Sequence, residues 1–491
     1  EMNKSISVVL PTNRDVEYLR NALYSKIDSS ECAILSGELK TSALWTNYLR
    51  ILNHQVHIVY GTRMAAFAPI SDLEIVVLYE DSDVSHKEQR SPYTNSREVL
   101  LNRVQFSEKL SFVSLSLSRS PQIQRLVNSG FLQEYIFDSE KLTKNLPNIE
   151  VLNSKVVEAK GQTPHTRISS SIIKLARESL KKGSVLFVVP RKGYIPLLSC
   201  AKCHEITHCQ YCNSPLKIVG NRQVPICVRC SQPNYNYKCP KCNSSQIRAN
   251  RIGSERSAFE IGKLFPGVII RSSSSTASDG IIPLINSEPQ IVVATPGAIP
   301  ICPDGYQLVV VLDAYLFTIF ESLDTSSDAL SQFYHFISFT KSKQDDGECI
   351  ISGDIPPQIA NSVVLFDPIL YIFQELTERK ELKFPPYSRV VVFVSTGDVI
   401  TKIMNRFQSQ YSDISLFVVM GPYPLLKTNY ASQFSNWGKG LRKEDLQCLI
   451  IRLPIKYSHQ LADDVYKIKI DLAVKRKLQQ TKVLLDPKEF L

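Results

Sequence analysis

Four Cys-x-x-Cys pairs follow one another in a short stretch of this chain: Cys200/Cys203, Cys209/Cys212, Cys227/Cys230 and Cys239/Cys242. Two cysteines at this spacing bracket a tight turn and aim both sulfurs at one ion, and tetrahedral zinc takes two such turns. Eight thiols therefore complete two four-cysteine sites with none left over. A disulfide framework belongs to small secreted domains. This chain has 491 residues and runs from Glu1-Met2-Asn3-Lys4 straight into a strand-like segment, with no secretory signal. A thioredoxin-like redox pair would be a single knuckle at a strand–helix junction, not four in succession. With sulfur filling every position, both zinc sites are expected to be structural.

Spacing also suggests the pairing. Five residues separate the first knuckle from the second, too few to wrap an ion from both sides, whereas fourteen separate Cys212 from Cys227. The latter gap is close to the about 15–20 residues of a zinc ribbon. The expected sites are thus Cys209, Cys212, Cys227 and Cys230, and Cys200, Cys203, Cys239 and Cys242. A crossed arrangement, first knuckle with third and second with fourth, is the alternative. His204 and His208 are possible substitute ligands but read better as loop histidines. Cys32, Cys302, Cys349 and Cys448 lie among apolar neighbours and read as buried free thiols.

The formal charge is +10, and most of it sits around the knuckles. Between Cys200 and Arg251 stand Lys202, Lys217, Arg222, Arg229, Lys238, Lys241, Arg248 and Arg251 against a single acid, Glu205. Two zinc ions held by eight thiolates add net negative charge, so the patch stays basic but less than its residues alone imply. A basic patch favours a polyanionic partner; a solvated surface is the plainer explanation for any one of its residues.

On either side of this stretch, short β-runs alternate with helix-like segments. Ser7–Leu10, Cys32–Leu35, His57–Tyr60 and Glu74–Leu78 read as strands, with helices over 14–27 and 39–52. A second series follows at 184–189, 268–270, 291–293 and 308–312, with Ser272–Ser275 as a polar loop. This alternation predicts two parallel α/β layers, the second interrupted by the zinc module. The last part reads as a smaller α+β unit with strands at 390–394 and 449–453. No apolar run is long enough for a membrane span; the nearest, Gln307 to Phe320, contains Asp313.

Two α/β units in tandem are the outline of a helicase motor, yet a P-loop, Gly-x-x-x-x-Gly-Lys-Ser/Thr, is not found. The Gly-Lys pairs, Gly262-Lys263-Leu264 and Gly438-Lys439-Gly440, lack the hydroxyl that would hold magnesium. Several runs nevertheless resemble the PriA family, the bacterial primosomal protein N′ of replication restart. Arg191-Lys192-Gly193-Tyr194-Ile195-Pro196 leads into the first knuckle as that family's Arg-Arg-Gly-Tyr-x-Pro does. Gly253-Ser254-Glu255-Arg256 and Leu264-Phe265-Pro266-Gly267 are similar to its runs after the zinc module. Tyr60-Gly61-Thr62-Arg63 with Phe67-Ala68-Pro69 resembles a motif on the DNA-facing side of its first lobe. Phe384-Pro385-Pro386-Tyr387 and Gly421-Pro422 resemble its last domain.

The resemblance implies two RecA-like lobes of degenerate superfamily-2 helicase type, a double zinc ribbon in the second lobe with the nested pairing, and an α+β C-terminal domain. The expected boundaries are 1–143, 144–365 with the zinc module at 198–246, and 366–491. The family's activities are binding of branched DNA, ATP-driven 3′-to-5′ unwinding and loading of the replicative helicase. Its members also carry an N-terminal domain that grips a 3′ end, a winged helix and the P-loop; the chain is expected to start after all three. Its magnesium motif Asp-Glu-Glu-His corresponds to Tyr79-Glu80-Asp81-Ser82, which puts a tyrosine where the orienting carboxylate belongs. Its last motif, by gapless register, falls on His335 to Ser342, with Phe339 and Ser342 in place of both arginines.

The expectation is therefore a replication restart protein that binds DNA at stalled or abandoned forks and promotes primosome assembly, without ATPase or helicase activity and without ATP as cofactor. The alternative is a protein-docking scaffold of the primosome with little DNA binding of its own. Expected partners are forked, branched or single-stranded DNA, the replicative helicase and the single-strand-binding protein. Expected DNA contacts are Arg63, Lys217, Arg222, Arg229, Lys238 and Lys241 with Tyr235 and Tyr237 interleaved, and Trp437 and Lys439 of a second basic loop. Lys475-Arg476-Lys477 is expected on a helix. Reduced thiols and the absence of a targeting signal suggest the bacterial cytoplasm.

Overall fold

The computed structural model describes residues 4–488 apart from 91–92, 136–141, 143, 154–155, 157–166, 191–197, 204–206, 212–215, 219–223, 228–231, 250–253, 320–321 and 426–441. The chain divides into two compact units, one of residues 1–133 with 368–490 and the other of residues 134–367.

The first unit opens with strands β1 (Ser5–Val9), β2 (Cys32–Leu35), β3 (Ile58–Gly61), β4 (Leu73–Tyr79) and β5 (Ser111–Leu115). They form one sheet in the order β2-β3-β1-β4-β5 with every pairing parallel. Helices α1 (Asn13–Leu23), α2 (Thr41–Leu52), α3 (Ser96–Gln105) and α4 (Pro121–Asn128) connect the strands or follow them. Thr12 starts α1 with a capping box, its side chain accepting from the Asp15 amide while Asp15 accepts from the Thr12 amide. Val9, Ala33, Leu35, Val59, Val76 and Leu78 are buried together. These inward residues of β1–β4 are the runs that made the strands legible. Gly61 is required by the sheet, because a Cβ there would lie 2.0 Å from the Leu35 carbonyl oxygen of β2.

The second unit holds β6 (Asn148–Leu152), β7 (Val185–Val188), β8 (Leu198–Cys200), β9 (Leu216–Lys217), β10 (Ile226–Cys227), β11 (Ile247–Ala249), β12 (Ile270–Ser273), β13 (Ile291–Ala294), β14 (Leu308–Val311) and β15 (Glu348–Ser352). Six of these build a second parallel sheet in the order β12-β13-β7-β14-β15-β6. The central strands β7, β13 and β14 are buried at every residue. This is the pattern of a parallel sheet covered on both faces, supplied here by α5 (Ser170–Ser179), α6 (Ser254–Leu264), α7 (Thr325–Ile337) and α8 (Pro357–Leu365). Inside it, Arg167 bonds Asp313 (2.7 Å), Glu260 (3.1 Å) and the Ser257 hydroxyl (2.9 Å), tying the end of β14 to α6.

Residues 368–490 return to the first unit. Helix α9 (Pro368–Glu381) packs on α4, and Arg125 lies 5.1 Å over the Tyr387 ring. Strands β16 (Ser388–Thr396), β17 (Val418–Pro424), β18 (Leu446–Pro454) and β19 (Lys482–Leu485) form an antiparallel sheet ordered β17-β18-β16-β19. Helices α10 (Gly397–Tyr411) and α11 (Ser458–Val474) share its core through Phe393, Phe407, Tyr411, Leu449 and Ile468. In the Phe384-Pro385-Pro386-Tyr387 turn, the buried Arg379 donates to the Pro385 carbonyl at 3.3 Å and pairs with Glu375. Among the described residues no helix is long and apolar enough to cross a membrane.

Two expectations need correction. The strand placed at 268–270 runs instead over Ile270–Ser273, so Ser272 and Ser273 are strand residues and not loop. Serine fits there because the Ser273 hydroxyl donates to the Ala298 carbonyl (2.6 Å) and accepts from the Ile282 amide (2.9 Å). The cluster Lys475-Arg476-Lys477 lies past the end of α11, with Arg476 in a left-handed conformation at φ 55°.

The close approach at Gly61 gives a direct test. Gly61→Ala is expected to destabilise the first unit by more than about 2 kcal/mol, the range reached when backbone must move. Gly37→Ala, with nothing within 4 Å of its new Cβ, is expected to stay within about 0.5 kcal/mol in the same denaturant titration.

Candidate metal centre and nucleic-acid interface

The cysteine-rich module is two small ribbons, the inner one inserted in the chain between the strands of the outer. The outer ribbon pairs β8 with β11 in antiparallel register, Leu198 opposite Ala249 and Cys200 opposite Ile247. The inner ribbon pairs β9 with β10, Leu216 opposite Cys227. Thr207 joins them: its amide and hydroxyl both donate to the Leu198 carbonyl at 2.9 Å, and its carbonyl accepts from the Leu216 amide at 3.0 Å.

The outer ribbon brings the first and fourth knuckles together. The Sγ atoms of Cys200, Cys203, Cys239 and Cys242 all lie within 4.8 Å of one another. Two of the contacts, Cys200 to Cys242 and Cys203 to Cys239, are 3.4 Å. A tetrahedron with metal–sulfur bonds of about 2.3 Å has its sulfurs about 3.8 Å apart, so the four fit around one ion. The sulfurs are well beyond a disulfide bond of about 2.05 Å, and all four cysteines are free.

Local chemistry favours thiolates. Backbone N–H groups of Cys203 and Lys202 donate to Cys200 and pull its thiol down to about 6. At Cys239 burial opposes ionisation, but the N–H groups of Cys242 and Lys241 outweigh it and the thiol falls below its ordinary value. Beside them, the Tyr237 hydroxyl is buried without a conventional hydrogen-bond partner. A charged sulfur in this cluster gives that orphan donor an acceptor. The residues thus fit a closed four-sulfur zinc site, which supplies folding free energy and no chemistry.

Of the inner set, Cys209 and Cys227 are buried in the same apolar cluster as Cys200 and Cys239; Cys212 and Cys230 lie outside the described residues. Cys209 accepts from the Tyr211 amide (3.4 Å) and from the Asn234 side-chain amide (3.6 Å). Among the other cysteines, Cys349 and Cys448 are buried, whereas Cys32 and Cys302 are only half-buried.

The basic candidates divide by location. Lys238 and Lys241 are exposed on the fourth knuckle, and Lys217 is half-buried on β9. Tyr235 is 73% exposed beside them and Tyr211 is 65% exposed on the second knuckle. Tyr237 is not available for stacking as the sequence suggested: at 8% exposure it fills the apolar core against the cysteines. Arg63 belongs to the other unit. Its guanidinium donates to the carbonyls of Ser85 and Lys87, each at 3.0 Å, and lies 3.6 Å from Glu88. It holds the loop after β4. Arg222, Arg229, Trp437 and Lys439 lie outside the described residues, as does His204.

The magnesium-motif positions form a buried network at the end of β4. Glu80 has φ 51° and accepts from the Leu117 amide at 2.9 Å. Burial pushes its carboxyl up to about 8, helped by Asp81, Asp83 and Asp15. Asp81 is buried, accepts from the Ser116 hydroxyl (3.0 Å) and lies 3.7 Å from Arg97. Tyr79 contributes its carbonyl, 2.8 Å from Nε2 of the buried His86. At the last-motif positions, Phe339 makes an edge contact with His335 at 5.0 Å and Ser342 donates to Asp345 at 2.7 Å. Asn234, the partnering of Tyr237 with sulfur and the Arg167 network were all missed in the sequence. Only an asparagine or arginine between apolar runs hinted at them.

No protein-family model matches the chain. It is 27% identical to the probable replication restart protein PriA of Mycobacterium leprae, over 98% of this chain and 72% of that protein. It is 28% identical to the Mycobacterium tuberculosis protein of the same name, over 86% of this chain and 64% of that one. The chain is related to the PriA replication restart proteins. The Haemophilus influenzae PriA is 24% identical over 78% of this chain and 54% of its own length. The chain thus spans between about half and three quarters of the relatives it matches. Solved structures similar to it include RecG bound to a three-way DNA junction (TM-score 0.37, 10% identity, 77% of this chain and 43% of that one). Another is the DUF1998 helicase MrfA bound to DNA (TM-score 0.33, 11% identity, 76% and 42%).

The Glu80 network predicts a pH dependence. A carboxyl raised in the folded state stabilises the fold below its ordinary value of 4.5, and that contribution is lost as pH climbs toward about 8. Glu80→Gln keeps the acceptor for the Leu117 amide and removes the charge. Its melting temperature is expected to match the parent near pH 4.5 and exceed it by several degrees at pH 9, read by calorimetry across pH. Equal differences at both pH values would contradict the assignment.

Proposed function

We propose that this chain binds DNA at forked or single-stranded sites during replication restart, through its zinc module, as a helicase-like protein that does not hydrolyse ATP. The observation that carries the reading is the arrangement on the module. Cys200, Cys209, Cys227 and Cys239 are turned inward, while Tyr211, Tyr235, Lys238 and Lys241 are exposed at the knuckles. Lysines neutralise phosphates and exposed aromatic rings stack on unpaired bases, the pairing of contacts that single strands select. The names of the PriA relatives support the replication restart setting. The basic loop with Trp437 and Lys439 is proposed as a second contact.

Two zinc ions in the nested arrangement are part of this reading, supported by the outer cluster and by the burial of Cys209 and Cys227 beside it. The proposed domains are 1–143, 144–365 with the module at 198–246, and 366–491. The non-hydrolytic reading is supported by Tyr79 and Glu80. A phenol and a carboxyl protonated near neutral pH stand where an ionised pair would orient magnesium. Phe339 and Ser342 likewise offer no cation to a transferring phosphoryl group, a contribution of about 10³–10⁵ in rate.

The test is equilibrium binding of the zinc-loaded chain to labelled forked DNA across salt concentration, with duplex DNA as control. Fork-preferring binding whose logarithm falls steeply with log salt is expected. The paired variant Lys238→Ala/Lys241→Ala is expected to weaken binding and reduce the slope by about 2, one for each lost phosphate contact. DNA-stimulated ATP hydrolysis is expected to be undetectable. Binding no tighter than the duplex control at low salt would overturn the reading and leave a protein-docking scaffold.

A further inference from the structure

Tyr237 belongs to the buried cluster of the module, with Cys200, Cys239, Leu198 and Leu216. Packing explains its ring but not its hydroxyl. A phenylalanine would fill the same space with no polar atom to desolvate, and a buried donor left unpaired is unfavourable. Among the described residues no nitrogen or oxygen accepts from this hydroxyl. The partner it meets is the sulfur of Cys239, and the sulfurs of Cys200 and Cys203 are close enough to act on it.

We propose that Tyr237 is a positioning residue of the outer four-cysteine site, its hydroxyl donating to the Cys239 thiolate and strengthening that site's hold on its metal. The inference rests on the reading of Cys200, Cys203, Cys239 and Cys242 as a zinc site, whose sulfurs all lie within 4.8 Å of one another.

The local chain aims the hydroxyl. Tyr237 and Cys239 are buried while Lys238 between them is exposed. That is the alternation of an extended segment, which puts residues two apart on one face. The backbone of Cys239 is anchored on its own: its amide donates to the Ser244 carbonyl and its carbonyl accepts from the Asn243 amide, each at 2.9 Å. Its sulfur also accepts from the backbone N–H groups of Cys242 and Lys241. Those two donors come with the turn of the knuckle, whereas the phenol comes from outside it.

The hydroxyl acts differently in the two states of the site. A metal-bound thiolate keeps excess negative charge, so the O–H bond to it is charge-assisted. A neutral thiol is only a weak acceptor, which leaves the same hydroxyl poorly paired when the metal is gone. The difference favours the loaded site. Groups behind metal ligands that act this way typically contribute about 10- to 100-fold in metal affinity.

The test compares the full chain with Tyr237→Phe, which keeps the ring and loses only the donor. Each is loaded with zinc, and again with cobalt as a spectroscopic probe. Cys242→Ser identifies the outer ion as the one it loses. Tyr237→Phe is expected to hold that ion about 10- to 100-fold more weakly in chelator competition. In its cobalt form, sulfur-to-metal charge-transfer absorption is expected to move to longer wavelength, because the sulfur has lost a donor. Retention of the outer ion at parental affinity would overturn the proposal. So would weaker binding with unshifted absorption, which marks disturbed packing and not a lost bond. If Cys242→Ser held as many ions as the unaltered chain, the outer-site reading itself would fail and take the proposal with it.

Discussion

The module depends on sulfur in a way that the two lobes do not. Its buried cluster consists of Cys200, Cys209, Cys227 and Cys239 with little more than Leu198, Leu216 and Tyr237. An apolar core of that size cannot offset the conformational entropy of ordering the segment. Thiolates brought together without a counter-ion would repel one another. A divalent cation held by Cys200, Cys203, Cys239 and Cys242 would remove the repulsion and close both limbs of the outer ribbon at once, so metal binding and folding would there be one event. That closure would hold the backbone that carries Lys238, Lys241 and Tyr235.

The two parallel sheets are held by ordinary means. β7, β13 and β14 are buried at every residue, and the core of the first sheet runs through Val9, Val59, Val76 and Leu78. None of that packing needs nucleotide. At the magnesium-motif position, Glu80 and Asp81 are absorbed into hydrogen bonds with Leu117 and Ser116. Both side chains are interior contacts, and burial that raises the Glu80 carboxyl to about 8 is compatible with that interior.

Legibility followed burial. The central strands were readable because parallel strands covered on both faces are continuous apolar runs. β5 and β6 were not, since one is Ser-Phe-Val-Ser-Leu with alternate residues exposed and the other, Asn148–Leu152, is an edge strand with an acidic residue inside it. β12 was displaced because Ser273 is satisfied by carbonyl and amide groups that only the folded chain brings to it. The knuckle spacing pointed to the outer cluster of Cys200, Cys203, Cys239 and Cys242; of the other set, Cys212 and Cys230 lie outside the described residues. What spacing could not carry is direction. Tyr235 and Tyr237 are two apart and would share a face of an extended chain, but a turn at 235–236 leaves Tyr235 in solvent and Tyr237 in the core with the cysteines. Arg63 reads as a phosphate ligand until the loop it clamps is in place.

The most direct test of this dependence is the affinity of the chain for forked DNA before and after removal of zinc by a chelator, and again after zinc is restored. The metal-free chain is expected to bind at least about tenfold more weakly, since it loses the fixed phosphate contacts of the module. Restored zinc is expected to recover the original affinity. Unchanged binding by protein shown to be free of metal would contradict the account, because the contacts would then lie outside the module that sulfur and zinc hold together.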